Sequence, residues 1–233
     1  MTAVRRLLRA ARGERGFTLT EMLLAISVGM ILILAAFGLI DASGTQAVKV
    51  TDRVDATQRG RLAMDEITRQ LHSQVCLKAG TAAITDGQDN SITFYSYTGS
   101  GAYLPARHTI AYDPTTRKIT EYDYAGTGTP PDMSYPATPT STRTLLADAA
   151  TVGGAPVFAY YAWTSSGTVA PTVSLPTPLS AADALRTVRV TIQFKAQPSG
   201  KPNSVESTVL QDEVFSRTAD PNGQSGPELP PCE

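Results

Sequence analysis

The sequence predicts an α+β fold in which one long N-terminal helix leads into an antiparallel β-rich head, and three observations carry that reading. The first is a run of nineteen residues, 22–40, with no formal charge, interrupted only by Ser27, Gly29 and Gly38. At the helical rise it extends roughly 28 Å, the thickness of a hydrocarbon core, and so reads as a membrane-spanning segment. The second is an apolar stripe beyond Gln46, where Ala47, Val50 and Val54, then Met64, Ile67, Leu71 and Val75, recur at spacings of three and four. The third is a change of period from about 3.6 to two after Gly80, with β-branched and aromatic residues alternating in six segments.

Residues 1–16 hold five arginines (Arg5, Arg6, Arg9, Arg12, Arg15) and Glu14, a net charge of +4. The remaining 217 residues keep fifteen basic and twenty acidic side chains, a net charge of −5. Basic residues ahead of an apolar run follow the positive-inside pattern, which puts 1–16 in the cytoplasm and 41–233 outside. The body has no basic excess of the kind a nucleic-acid-binding domain carries. Arg5-Arg6 can also be read as a twin-arginine signal, and the whole start as a secretory peptide cut after the run. The run is longer than an ordinary h-region and Glu21 stands at its front edge, which tells against both. A lipoprotein is excluded because no cysteine precedes Cys76.

Residues 17–78 read as one helix in two regimes: a transmembrane part, 17–40, and an amphipathic continuation, 41–79. A stripe of this kind packs on its own domain, so the far end of the helix is expected to dock on the β-rich head. Residues 57–61 are polar and contain Gly60, and Gly80 suits the left-handed residue that ends a helix. The head, 80–218, offers candidate strands at 91–98, 107–112, 118–124, 156–163, 185–196 and 204–215. The turn 113–116 joins the second to the third and 197–203 joins the last two, so both pairs are expected as antiparallel hairpins. Residues 125–142 and 165–178, rich in Pro, Gly, Thr and Ser, read as exposed loops, and 219–233 as a Pro-rich tail. A head of this length sustains one core.

Little in the head suggests chemistry. His72 and His108 are the only histidines, too few for a hydrolytic triad of any redundancy. His72 and Cys76 stand four apart on the expected helix, on one face as zinc ligands would be, but no second pair completes a metal site. Asp86-Gly87-Gln88-Asp89-Asn90 clusters oxygen ligands that calcium would accept, although it lacks the spacing of a calcium loop and suits an ordinary turn. Nine tyrosines and Trp163 could line a binding face; on strands such residues more often serve as core and cross-strand pairs. No catalytic residue, cofactor site or metal site is assigned. Cys76 and Cys232 both fall on the exported side, where a disulfide between them would close nearly the whole head; the alternative is two unpaired thiols.

Glu21 is the residue where a functional reading prevails, because a carboxylate at the edge of an apolar run is costly in lipid and is kept where a partner requires it. The plainer alternative is a side chain that snorkels to the interface. The stretch Gly16-Phe17-Thr18-Leu19-Thr20-Glu21, set between a basic leader and an apolar helix, resembles the processing signature of type IV prepilins and the related pseudopilins. In that family a short basic leader ends in Gly, a membrane peptidase cuts before Phe or Met, the new N-terminus is methylated, and the fifth mature residue is Glu. Each element is matched here, over about residues 5–40.

The resemblance implies cleavage between Gly16 and Phe17, N-methylation of Phe17, and filament docking through Glu21, whose carboxylate lies within helical reach of its own terminal amine or a neighbouring subunit's. It implies a pilin-like fold and a non-enzymatic structural subunit. Size and strand pattern are similar to those of the minor pilins and minor pseudopilins, the PilW or J-type component. The partners implied are a prepilin peptidase, other pilin or pseudopilin subunits, an inner-membrane assembly platform with its ATPase, and membrane lipid, with no nucleic acid evident. The expected place is the cytoplasmic membrane, single-pass with the head outside, and then a surface pilus or pseudopilus. Adhesion, motility, DNA uptake and protein secretion share this N-terminus. The competing class is a membrane-anchored extracytoplasmic binding module that does not polymerise.

Overall fold

The structure, a computed structural model, describes residues 17–78, 81–97, 104–129, 131–163 and 173–216. Helix α1, Leu19–His72, is continuous over 54 residues. The chain divides into two compact units between Lys49 and Val50. In the first, every described residue is exposed apart from Gly29, which is partly covered.

Among the described residues the second unit holds two larger sheets and a two-stranded hairpin. One is formed by β1 (Ile84–Gly87), β2 (Ser91–Ser96), β3 (Ala106–Asp113), β4 (Lys118–Tyr124) and β7 (Ser141–Leu146), antiparallel in the order β1-β2-β3-β4-β7. A small hairpin, β5 (Thr127–Thr129) with β6 (Asp132–Ser134), lies between β4 and β7 in sequence. The other sheet has the order β10-β9-β11-β12, from β9 (Phe158–Ala162), β10 (Val173–Ser174), β11 (Arg189–Ala196) and β12 (Thr208–Phe215), while β8 (Ala149–Ala150) pairs with the end of β11. Both expected hairpins are present: β3 pairs with β4, and β11 with β12 in unbroken register from Arg189↔Phe215 to Ala196↔Thr208.

Alternation of burial follows from the pleat, since successive side chains face opposite sides. The inward set of both sheets, including Ile92, Phe94, Ile110, Ile119, Phe158, Tyr160, Ile192 and Phe194, forms one core with Ala63, Met64, Ile67 and Leu71 of α1. Each of the Ile, Leu, Met and Phe side chains contributes about 1.5–3 kcal/mol on leaving water. Helix burial begins at Ala56 and continues through Gly60, Ala63, Met64, Ile67, Gln70 and Leu71.

The amphipathic stripe therefore starts later than its sequence pattern suggests. Ala47, Val50 and Val54 are exposed. The turn after β11 supplies the reason: Lys201 pairs with Asp52, and the Thr57 and Thr208 hydroxyls bond at 2.7 Å, so β12 covers the helix from about that point onward. The helix also ends earlier, at His72 rather than 78. Ser73 N–H and Oγ–H both donate to the Gln70 carbonyl, at 3.1 and 2.8 Å. The chain then turns to β2, with Gln74 bridged to Ser96 and Val75 N–H donating to the Tyr95 carbonyl at 3.0 Å. A strand edge thus takes over the backbone groups that a further helical turn would have used. Gly80 lies outside the described residues.

Other boundaries move for local reasons. The segment expected as strand 185–196 is split, because Ser180 caps a short helix α2 (Ala181–Arg186), its Oγ accepting from Asp183 N–H at 3.1 Å. The expected loop 125–142 holds the β5–β6 hairpin and the start of β7.

Candidate functional site

Two groups of residues stand out, one in each unit. In the first unit Phe17 and Thr18 are non-helical and α1 starts at Leu19. Thr18 is the cap: its carbonyl accepts from Glu21 N–H at 3.0 Å and Met22 N–H at 3.1 Å, and its Oγ1 also accepts from Glu21 N–H at 3.3 Å. A threonine three residues before a glutamate is the pattern of a capping box, and it satisfies donors that the first helical turn leaves over. Glu21 lies in that first turn, where a negative charge is favoured by the positive end of the helix dipole. Its carboxylate meets no cation among the described residues.

Beyond Glu21 the helix leaves its apolar surface open. Phe17, Leu19, Met22, Leu24, Ile31 and Leu34 are each more than 60% exposed, and Gly29 and Gly38 have nothing within 4 Å of where a Cβ would stand. The only polar side chain inside the run, Ser27, returns its hydroxyl to the Leu24 carbonyl at 2.8 Å. A surface of this length and composition is suited to lipid or to other apolar helices, and α1 is long and apolar enough to cross a membrane.

The second group is a cleft of about 550 Å³ in the head, lined by Glu66, Arg69, Gln70, Ser73, Tyr97, His108, Glu121, Asp123, Ser141 and Arg143. Its centre is Glu121 of β4, a carboxylate with a 7% exposed side chain. Gln70 Nε2 donates to it at 2.6 Å, Arg143 donates through Nε at 3.0 Å and a terminal nitrogen at 2.6 Å, and His108 Nδ1 stands 3.2 Å away. Gln70 Nε2 and Arg143 also reach Glu66 on the helix, at 2.8 and 2.5 Å, and Arg69 closes on the same carboxylate. Burial pushes the Glu66 carboxyl up, but the donors from Arg69, Arg143 and Gln70 outweigh it and hold it at about 2. In Glu121, too, burial raises and the bonds from His108 and Arg143 lower, with a net downward result. This network ties α1 to β3, β4 and β7.

Within the cleft His108 is 2% exposed and stacked on Phe94, with ring centroids 5.7 Å apart. His72 is the last residue of α1 and exposed, whereas Cys76 lies beyond the helix and is buried. The two therefore do not share a helical face, and among the described residues no group of three His, Cys, Asp or Glu could hold a metal. The 86–90 turn is a joint between the sheets: the Asp89 carbonyl accepts from Phe158 N–H at 3.0 Å, the Asn90 carbonyl from Tyr112 N–H at 2.8 Å, and Tyr160 donates to the carbonyls of Gln88 and Ser91. Among its side chains, Asp86 accepts from Gln88 Nε2 at 3.1 Å and Asp89 from the Thr177 hydroxyl.

Of the tyrosines, Tyr112 and Tyr160 are core, and Tyr95, Tyr124 and Tyr135 pack around Arg107 on the outer face of the first sheet. Burial pushes the Tyr135 hydroxyl up to about 12 as it donates to the Pro105 carbonyl. Tyr103 lies outside the described residues, as do Gly16 and Cys232. Cys76 is buried, and no free cysteine occurs among the described residues. Sequence reasoning does not find the Glu66–Gln70–Glu121–Arg143 network. The signal that could have found it is parity: Ile110 and Ile119 are inward on their strands, which puts His108 and Glu121 inward as well.

Residues 11–37 match the family model described as the prokaryotic N-terminal methylation motif. No curated protein matches the chain.

Proposed function

We propose, from the premise of a type IV pilin- or pseudopilin-like precursor, which the methylation motif over residues 11–37 supports, that the mature chain is a structural subunit of a type IV pilus or a related secretion or DNA-uptake filament. The observation that carries this reading is Glu21, a carboxylate in the first turn of a helix whose apolar surface is open, with no cation of its own among the described residues. In lipid an unpaired charge costs several kcal/mol, so a partner is required. The amine of Phe17, freed by cleavage after Gly16 and methylated without loss of charge, is that partner, on the same subunit before assembly and on a neighbour within the filament. The basic leader, 1–16, stays cytoplasmic and the head is exported. A prepilin peptidase, an inner-membrane platform and other pilins act on the chain in turn, and the size of the head favours a minor subunit.

The first test is the N-terminus. Mass spectrometry of membrane-extracted protein should find the chain beginning at methylated Phe17, and Gly16→Leu should block the cut; an intact Arg15-Gly16-Phe17 sequence in the wild type would overturn the reading. The second is Glu21→Val. It removes an insertion cost of roughly 2–3 kcal/mol, so membrane levels should hold or rise while recovery in sheared filaments collapses. Equal recovery in filaments would remove the docking role, and a wild type that never enters filaments would favour the anchored binding module.

A further inference from the structure

We propose that Thr18 is a positioning residue for maturation: by capping α1 it keeps the peptide bond before Phe17 out of the helix, where a peptidase can take it in extended form. This rests on the cleavage reading above. The observations are that Phe17 and Thr18 are non-helical, that the helix starts at Leu19, and that the Thr18 carbonyl and Oγ1 both accept from Glu21 N–H, at 3.0 and 3.3 Å. The Thr18 and Thr20 hydroxyls lie 3.1 Å apart, a contact that holds Thr18 Oγ1 over the first turn.

The physical argument concerns where a helix in this sequence would otherwise stop. Upstream of Gly13 the leader is made largely of Ala, Leu and Arg, and Glu14 and Arg15 are themselves good helix formers. Gly13 and Gly16 weaken a helix without forbidding it. Downstream, the run to Ile40 is strongly helical, so the boundary is set by the energy of one cap. A peptide bond inside a helix is cleaved only from a locally opened state, and the rate then follows the population of that state. Hydrolysis consumes one water, breaks the C–N bond, and leaves the Gly16 carboxylate and the Phe17 ammonium. Thr18 takes no part in those steps. It fixes the fraction of precursor whose scissile bond is open, and a reduced competent fraction raises the apparent binding constant in proportion.

The test is cleavage of the full-length precursor in detergent by membranes carrying the prepilin peptidase, read as KM and kcat. Thr18→Val keeps the shape and loses the acceptor, and Thr18→Ala loses the acceptor with the highest helix propensity. Both should raise KM about fivefold or more with kcat unchanged, the factor expected for one lost cap. Thr18→Asn keeps a capping oxygen on a different side chain and should restore the wild-type KM. If Thr18→Val is cut like the wild type, the inference falls and the maturation reading stands. If Thr18→Ser is normal but Thr18→Asn is as poor as Thr18→Val, the peptidase is reading the hydroxyl itself, and the inference is overturned. A wild-type precursor that is not cut at Phe17 would remove the maturation reading and this inference together.

Discussion

Glu121 shows how much a single inward position can decide. Its strand places it between Ile119 and the half-buried Asp123, facing the helix, so folding must strip water from a carboxylate and replace it with Gln70, Arg143 and His108. Removing the cation leaves that charge buried with too few donors. Arg143→Met should therefore cost about 1–2 kcal/mol, less than for a fully buried pair because the guanidinium is half exposed, measured as the shift in urea midpoint of the full chain in detergent at neutral pH. The pH dependence arises from the same bonds. Glu66 and Glu121 titrate lower in the folded head than in an unfolded chain, so the folded state binds fewer protons in acid, and the stability they provide, complete above about pH 5, is lost as pH falls through the carboxylate range toward about 2. The melting temperature should fall between pH 5 and pH 3. Glu66→Gln should flatten that fall, and an unchanged slope would remove Glu66 from the linkage.

The second half of α1 illustrates what an element owes to its neighbours. Gly60 looks like a weak point in a helix, where glycine is about 1 kcal/mol worse than alanine. The structure explains its presence: a Cβ there would stand 2.2 Å from Leu210 Cδ1 and 2.7 Å from the Ala196 Cβ, on β12 and β11. The leucine tip can turn away, but the alanine methyl moves only with its strand. Gly60→Ala should thus destabilise the head by about 1 kcal/mol net, the overpacking cost of roughly 1–3 kcal/mol exceeding the propensity gain. A rise in urea midpoint would show that the β11–β12 hairpin yields more readily than its unbroken register implies. The same hairpin, through Lys201 and Thr208, sets where helix burial begins, which leaves Val50 and Val54 open.

For the molecule as a whole, the remaining expectation is covalent. Cys76 comes after the helix and is buried, and its proposed partner Cys232 lies in the tail beyond the described residues. A bridge closing so long a loop should contribute about 4–5 kcal/mol through the unfolded state. Non-reducing peptide mapping should recover the two cysteines joined, and two free thiols would dismiss the bridge. Sequence by itself determined the long helix, the membrane-length run, the methylation motif, the paired hairpins and the inward parity of most strands, because each is written in residues near one another in the chain. Only the tertiary structure decided where the helix stops, where its burial starts, and that Glu66, Gln70, His108, Glu121 and Arg143 meet. Those outcomes depend on groups far apart in sequence competing for the same hydrogen bonds and the same space: β2 takes the backbone of Gln74 and Val75, β12 takes the face of Gly60, and one buried carboxylate gathers donors from the helix and two other strands.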